Sequence, residues 1–272
     1  MEITYPSKVK ISNEAYHAHE ALGSTNLKHL LRSPAHYLWE KTHPTKPTPA
    51  MEFGTIVHEA ILEPELFKVN YCIRPEFSGK GSVAQREEWE SRQHAMGRKG
   101  LDAEDYEKIQ AMLLSVSKHK TARRLLDCGH AEESYFAEFY TDSAFPLKCR
   151  PDLLREGKII VDVKTTSDAS LGDFQKSIAN FKYHLSAALY LDVVSAVTHE
   201  NYTDFVILAI ETKPPYAVAT FLLDEATIDV GRSLYKKAMI IFAQSKKTGI
   251  YEAYPDEIQP INLPAWAWPT VF

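Results

Sequence analysis

Cysteine is scarce in this chain: Cys72, Cys128 and Cys149 are the three among 272 residues. An odd count argues against a disulfide framework, and the spacing matches no metal-binding pattern. These residues fit a reducing compartment, so a cytoplasmic location is expected. Long apolar runs are missing too. No stretch offers the ~20 apolar residues that a membrane-spanning helix needs, so no membrane partner is expected. The opening Met1-Glu2-Ile3-Thr4-Tyr5-Pro6 lacks the apolar region of a signal peptide. A basic excess is also missing. Lys and Arg number 31 against 36 Asp and Glu, a formal net charge of −5. Nucleic-acid binders are more often basic, which counts against such a partner, although a local basic groove can sit on an acidic protein. No break in composition marks a second domain. One α/β domain over residues 1–272 is expected, with an N-terminal helical region at about 12–62 and an inserted loop at about 78–100.

What is present is a strand that ends in charge. Lys158 to Lys164 reads as a β-strand with Ile159, Val161 and Val163 on one face and Ile160, Asp162 and Lys164 on the other. Both faces begin apolar, as in an interior strand covered on both sides. A carboxylate and an ammonium there are expensive unless something pairs with them. Pro151-Asp152 lies just upstream, on a first strand joined to this one by a turn at Glu156-Gly157. Asp152, Asp162 and the Val163 carbonyl are oxygen donors suited to Mg²⁺. Lys164 is a compact charge that can orient a water and stabilise an anion. Phosphodiester hydrolysis would use all four. As a surface hairpin with one salt bridge, the same residues would be unexceptional.

The flanking chain is mostly helical by pattern. Ser24 reads as an N-cap before Leu27, Leu30 and Leu31, and Ser33-Pro34 restarts a helix. Lys28 and Arg32 lie on or near the polar side of the first helix, placed either to grip DNA phosphates or to face solvent. Glu52–Leu62 is helical, with Gly54 marking a close approach to another backbone and His58 on the same helix. Ser78–Gly100 reads as a mobile loop with a short helix near Gln85–Met96. Asp102–Lys118, Phe174–Val197 and Glu225–Lys246 are further helices, and Tyr183 and Tyr190 lie on one face of the second. Glu132–Tyr140, Asp204–Glu211 and Tyr216–Leu223 read as strands. The Trp266-Ala267-Trp268 tail suggests packing against a partner surface.

Pro151-Asp152 followed by Asp162-Val163-Lys164 resembles the PD-(D/E)xK nuclease pattern. Tyr16-His17, Ser33-Pro34-Ala35-His36-Tyr37, Gly54-Thr55-Ile56-Val57-His58, Ala131-Glu132-Glu133-Ser134, Asp162-Val163-Lys164-Thr165-Thr166 and Tyr183-His184 follow in the order seen in RecE-type exonucleases (the exonuclease VIII catalytic domain). The resemblance covers roughly residues 12–195. It implies a restriction-endonuclease-like core with a central mixed β-sheet flanked by helices. It implies Asp152, Asp162, Lys164 and Glu132 as catalytic residues, with Glu133 the alternative to Glu132. It makes His58 a metal-site histidine beside Asp152, Asp162 and the Val163 carbonyl, on Mg²⁺ with Mn²⁺ able to substitute. Thr165, Tyr183 and Tyr190 join Lys28 and Arg32 as DNA contacts, but Ser186 stands where related nucleases carry Gln and is too short to replace it. The implied activity is 5′→3′ processive digestion of linear double-stranded DNA from free ends. It would leave 3′ tails for a single-strand annealing partner, from a homo-oligomeric ring with a tetramer favoured over a trimer. The alternatives are an endonuclease, a CRISPR-associated end-processing nuclease of the same fold, or a catalytically inactive DNA-binding subunit. The end-processing nucleases usually carry an iron–sulfur cluster on four Cys, which three unclustered Cys do not favour.

One geometric requirement follows. A two-residue turn at Glu156-Gly157 would put Asp152 and Asp162 on opposite faces, since a one-residue slip flips every side chain. A shared metal therefore demands a bulge or a three-residue loop between Leu153 and Ile160, with Asp152, Asp162 and His58 converging beside Lys164.

Overall fold

The structure, a computed structural model, describes residues 3–140, 144–264 and 267; Trp266 and Trp268 lie outside this set. The chain opens with β1 (Ser7–Val9), α1 (Asn13–Ala18), α2 (Ser24–Arg32), α3 (Pro34–Thr42), α4 (Pro49–Leu62) and α5 (Pro64–Asn70). Three of these helices have Pro in the first turn, where its missing N–H costs nothing. The Ser33 and Thr48 hydroxyls accept the His36 and Met51 N–H groups and fix where α3 and α4 begin. Ser24 is not the cap of α2. Gly23 holds that position, and the Asn26 side chain accepts its N–H at 3.0 Å.

Next come β2 (Tyr71–Ile73), α6 (Ser82–Ala95), β3 (Lys99–Leu101), α7 (Ala103–Lys118) and α8 (Lys120–Leu126). The expected loop at 78–100 is thus mostly a helix, closed by a parallel pair of short strands, β2 and β3. The remainder is β4 (His130–Ala131), β5 (Ser134–Tyr140), β6 (Ala144–Cys149), β7 (Leu153–Arg155), β8 (Ile159–Thr166), α9 (Leu171–Asn180), α10 (Tyr183–Thr198), β9 (Asp204–Glu211), β10 (Val218–Leu222) and α11 (Glu225–Thr248).

Among the described residues the central sheet has the order β10-β9-β8-β7-β4, with β8 and β9 parallel and the other pairs antiparallel. A second sheet has the order β1-β5-β6. A parallel pair needs a crossover connection, and α9 with α10 supplies it. The single helix expected over Phe174–Val197 is broken there. Lys182 takes a left-handed conformation at φ +51°, so α10 starts afresh at Tyr183.

Strand β8 is interior, as its two apolar faces require. Ile160 belongs to a core with Leu185 and Leu189 of α10. Val161 and Val163 belong to another with Val57 of α4 and Ile109 and Met112 of α7. Asp162 and Lys164 alternate with the valines and so face the α10 side.

Candidate active site

The β7–β8 hairpin sets the register that the carboxylates need. Leu153 pairs with Val161, Leu154 with Ile160 and Arg155 with Ile159. Glu156, Gly157 and Lys158 therefore form a three-residue loop rather than a two-residue turn. Gly157 and Lys158 have φ of +88° and +66°, the left-handed backbone such a loop uses. One step further along the same register, Asp152 stands across from Asp162.

Two elements then close on this point. Asp152 Oδ2 accepts the Val163 N–H at 2.7 Å and lies 3.4 Å from His58 Nδ1. His58 arrives on α4, one turn after Gly54. A Cβ on Gly54 would lie 3.2 Å from Thr165 Oγ1, so the close approach expected there is to a side chain rather than a backbone. Thr165 thus faces α4, across β8 from Lys164, and does not join the carboxylates. The Lys164 ammonium sits 2.5 Å from Asp162 Oδ2 and 3.1 Å from the Val163 carbonyl oxygen.

Glu132 is not part of the strand expected from it. The chain passes from β4 in one sheet to β5 in the other at this residue, and Glu132 adopts φ +56° to make the change. Its N–H donates to the Asp152 carbonyl at 3.3 Å. Burial, with the Asp152 charge adding to it, pushes the Glu132 carboxyl up to about 7. Glu133 points elsewhere: it pairs with Lys8 at 2.7 Å and accepts the Tyr135 hydroxyl at 3.0 Å. The geometry separates the two glutamates that the sequence left as alternatives.

Charge around Asp162 is dense. Burial pushes its carboxyl above the ordinary range, Lys164 opposes that shift, and Asp152 adds to it. Burial alone would lower the Lys164 ammonium, but Asp162 and Asp152 outweigh it and hold the group firmly protonated. Lys28 reaches the same place from α2. Burial, then repulsion from Lys164, brings its ammonium down to about 8. Lys28 and Lys164 lie 5.8 and 5.6 Å from the centre of the Tyr183 ring. Burial raises the hydroxyls of Tyr183 and Tyr190, and Asp162 acts on both. Arg32 lies one turn beyond Lys28 and is exposed, outside the cluster.

A divalent cation fits these donors by chemistry: two carboxylates, a carbonyl and an imidazole, the set that suits Mg²⁺ or Mn²⁺. The expected convergence is partial, however. Asp152 is engaged by His58 and Asp162 by Lys164. Among the described residues no three His, Cys, Asp or Glu side chains are placed to enclose an ion together.

Two further groups belong to this neighbourhood. Arg150 counters the Glu132 charge, while its guanidinium packs 4.4 Å from the Tyr16 ring centre and donates to Ser134 Oγ at 2.9 Å and the Ile11 carbonyl at 3.0 Å. In the sequence it stands two residues before Asp152, in the link between β6 and β7. Glu63, at the junction of α4 and α5, adds to the field on Glu132; nothing in its sequence context marks it.

The overall fold is similar to that of a provisionally assigned exonuclease from Eubacterium rectale, at 14% identity over 93% of this chain and 97% of that one, with a TM-score of 0.63. At that identity the likeness shows the fold. A phage-related exonuclease from Haemophilus somnus 129PT matches at 12% identity over 88% of this chain and 100% of its own, and an alkaline exonuclease from Laribacter hongkongensis at 13% over 63% and 88%. Their TM-scores of 0.36 and 0.26 are too low to argue from. No curated protein matches the chain. The model of the PDDEXK-like domain of unknown function (DUF3799) matches residues 23–259, a span that holds the hairpin, His58, Glu132 and α10, and the chain belongs to that family.

Proposed function

We propose that this protein is a Mg²⁺-dependent exodeoxyribonuclease that hydrolyses linear double-stranded DNA from its ends. The observation that carries the reading is the hairpin register. It brings Asp152 and Asp162 to one face beside Lys164, on an interior strand where charge is costly. In this reading Asp152, Asp162, the Val163 carbonyl and His58 hold the cation, which when bound polarises a phosphoryl oxygen and acidifies a water. Lys164 stabilises the charge that grows on the phosphoryl oxygens. The Glu132 carboxylate, on the residue whose N–H donates to the Asp152 carbonyl, takes a proton from the attacking water. Lys28 and Tyr183 hold the substrate backbone next to Lys164.

Three finer features rest on the RecE-type resemblance: 5′→3′ polarity, processive digestion inside a homo-oligomeric ring with a tetramer favoured, and delivery of 3′ tails to a single-strand annealing protein. A ring would also reconcile catalysis on DNA with a net charge of −5, because only its channel need be basic. The test uses end-labelled linear duplex and closed circular DNA of the same sequence. Degradation of the linear form alone, and only with Mg²⁺ or Mn²⁺, is expected. Cutting of the circle would make the protein an endonuclease, and no cutting of either would make it a DNA-binding subunit. Light scattering at micromolar concentration reports the ring, and a monomer there would contradict it.

A further inference from the structure

Residues 21–51 hold Lys28, Arg32, Lys41 and Lys46 against a single acid, Glu40, in a chain whose formal charge is −5. His29, His36 and His43 lie in the same stretch. Glu252, from beyond α11, meets the start of α3 at Ala35, but within residues 21–51 the charge is cationic along α2, α3 and the segment after it. At the far end of α3 stands an exposed indole. Trp39 is 61% exposed, and its ring stacks on His43 with centres 3.9 Å apart and planes 10° from parallel.

The stack is held in place. The His43 N–H donates to the Trp39 carbonyl at 2.7 Å. The Thr42 hydroxyl bonds the His43 ring at Nδ1 at 2.9 Å and reaches the Leu38 and Trp39 carbonyls at 2.9 and 3.1 Å. One face of the indole is covered by imidazole while most of its surface is open. Folding gains little from a large aromatic left in water, since apolar stabilisation scales with area removed from water.

A flat aromatic close in sequence to a run of cations offers the two features a single nucleic-acid strand uses, base stacking and phosphate pairing. A duplex keeps its bases stacked inside, so a single strand is the form that can offer one. The stretch begins at the catalytic cluster. Lys28 sits at Tyr183 and Lys164, Arg32 lies one turn and ~6 Å further along α2, and Ser33 then starts α3. We propose that Trp39 and His43 form a base-stacking platform for a single strand of nucleic acid running between the catalytic cluster and α3. The role as part of a nuclease rests on the function proposed above; the binding itself does not.

Anisotropy titrations of the full chain in chelator, where nothing is cut, test it with labelled oligothymidylate and a duplex of equal length. Trp39→Ala is expected to weaken oligothymidylate binding about tenfold, with Trp39→Phe retaining most of the affinity and duplex binding changed far less. Arg32→Ala and Lys46→Ala are each expected to reduce the salt dependence by about 0.7 in logarithmic slope. Unchanged oligothymidylate binding by Trp39→Ala, equal losses on single strand and duplex, or Trp39→Phe as weak as Trp39→Ala would each overturn the platform. So would a change in sedimentation without a change in binding, which would make this face a protein contact. Label release from linear duplex by the unaltered protein is scored separately. Loss of strand binding alone rejects the platform, and loss of cleavage alone rejects the nuclease.

Discussion

Two aspartates in this protein sit against cations, Asp192 half-buried on α10 and Asp162 buried on β8, and they differ in how fully the cation satisfies them. Asp192 on α10 takes the Arg232 guanidinium through Nε and Nη2, both at 2.9 Å, and the Tyr235 hydroxyl at 2.5 Å. Arg232 reaches Asp229 as well. The fork satisfies the carboxylate and ties α10 to α11, which is what a planar guanidinium does well. Asp162 has one compact ammonium, a second carboxylate close by, and burial that pushes its own carboxyl upward. A saturated pair holds elements together. On the function proposed above, an undersatisfied one, beside a second carboxylate and an imidazole, is where a cation from solution would bind.

Substitution breaks that comparison most sharply. Asp162→Ala and Lys164→Ala are each expected to cut DNA hydrolysis by roughly 10³-fold or more while leaving the circular dichroism spectrum native. Asp192→Ala should do the reverse: on the order of 2 kcal/mol less stable by denaturant titration, with activity per folded molecule kept. If the two variants behave alike, the contrast fails. Cation identity comes next. Activity should vanish in chelator, return with Mg²⁺ or Mn²⁺, and stay poor with Ca²⁺, which prefers more ligands and longer bonds; full activity in excess chelator would contradict the donor set.

A smaller effect concerns Glu132. Burial pushes its carboxyl from an ordinary 4.5 up to about 7, so the folded state is expected to hold the proton more tightly. Stability in chelator should therefore be greatest below the lower value and fall as pH rises through the higher one, by on the order of 2–3 kcal/mol. Glu132→Gln should remove this contribution, which denaturant titrations at pH 5 and pH 8 would measure. A wild-type stability difference that survives in Glu132→Gln would remove Glu132 as its source. Smallest of all, Lys28→Ala should lower the salt slope of duplex binding by about one without changing the melting behaviour; an unchanged slope would remove Lys28 from the substrate path.

Much of the site was legible because β-strand alternation is strict. Fixing Asp162 and Lys164 on one face of an interior strand also fixed the loop length that Asp152 required, and Glu156–Lys158 has that length. What could not be read was where the chain changes direction. Glu132 looked like the first residue of a strand because Glu133–Tyr140 alternates. A left-handed residue linking two sheets leaves no pattern when it is not glycine. The same is true of Lys182, whose positive φ divides an unbroken apolar stripe into α9 and α10 and aims Tyr183 at Lys164. Thr165 was grouped with its motif neighbours, yet parity sends it to the Gly54 side of β8. The helix expected near Gln85–Met96 is there as α6, but it starts earlier, at Ser82, and takes up most of the segment expected as a loop.

The central claim is that the Asp152–Asp162–Lys164 cluster is a hydrolytic centre and not a buried salt bridge. It is tested most directly by nucleotide release from end-labelled linear duplex in Mg²⁺, comparing the unaltered protein with Asp162→Asn, which keeps the shape and removes the charge. Release by the former and none by the latter, both folded, is the predicted result. Equal release by both, or none by the unaltered protein across Mg²⁺ and Mn²⁺, would contradict it.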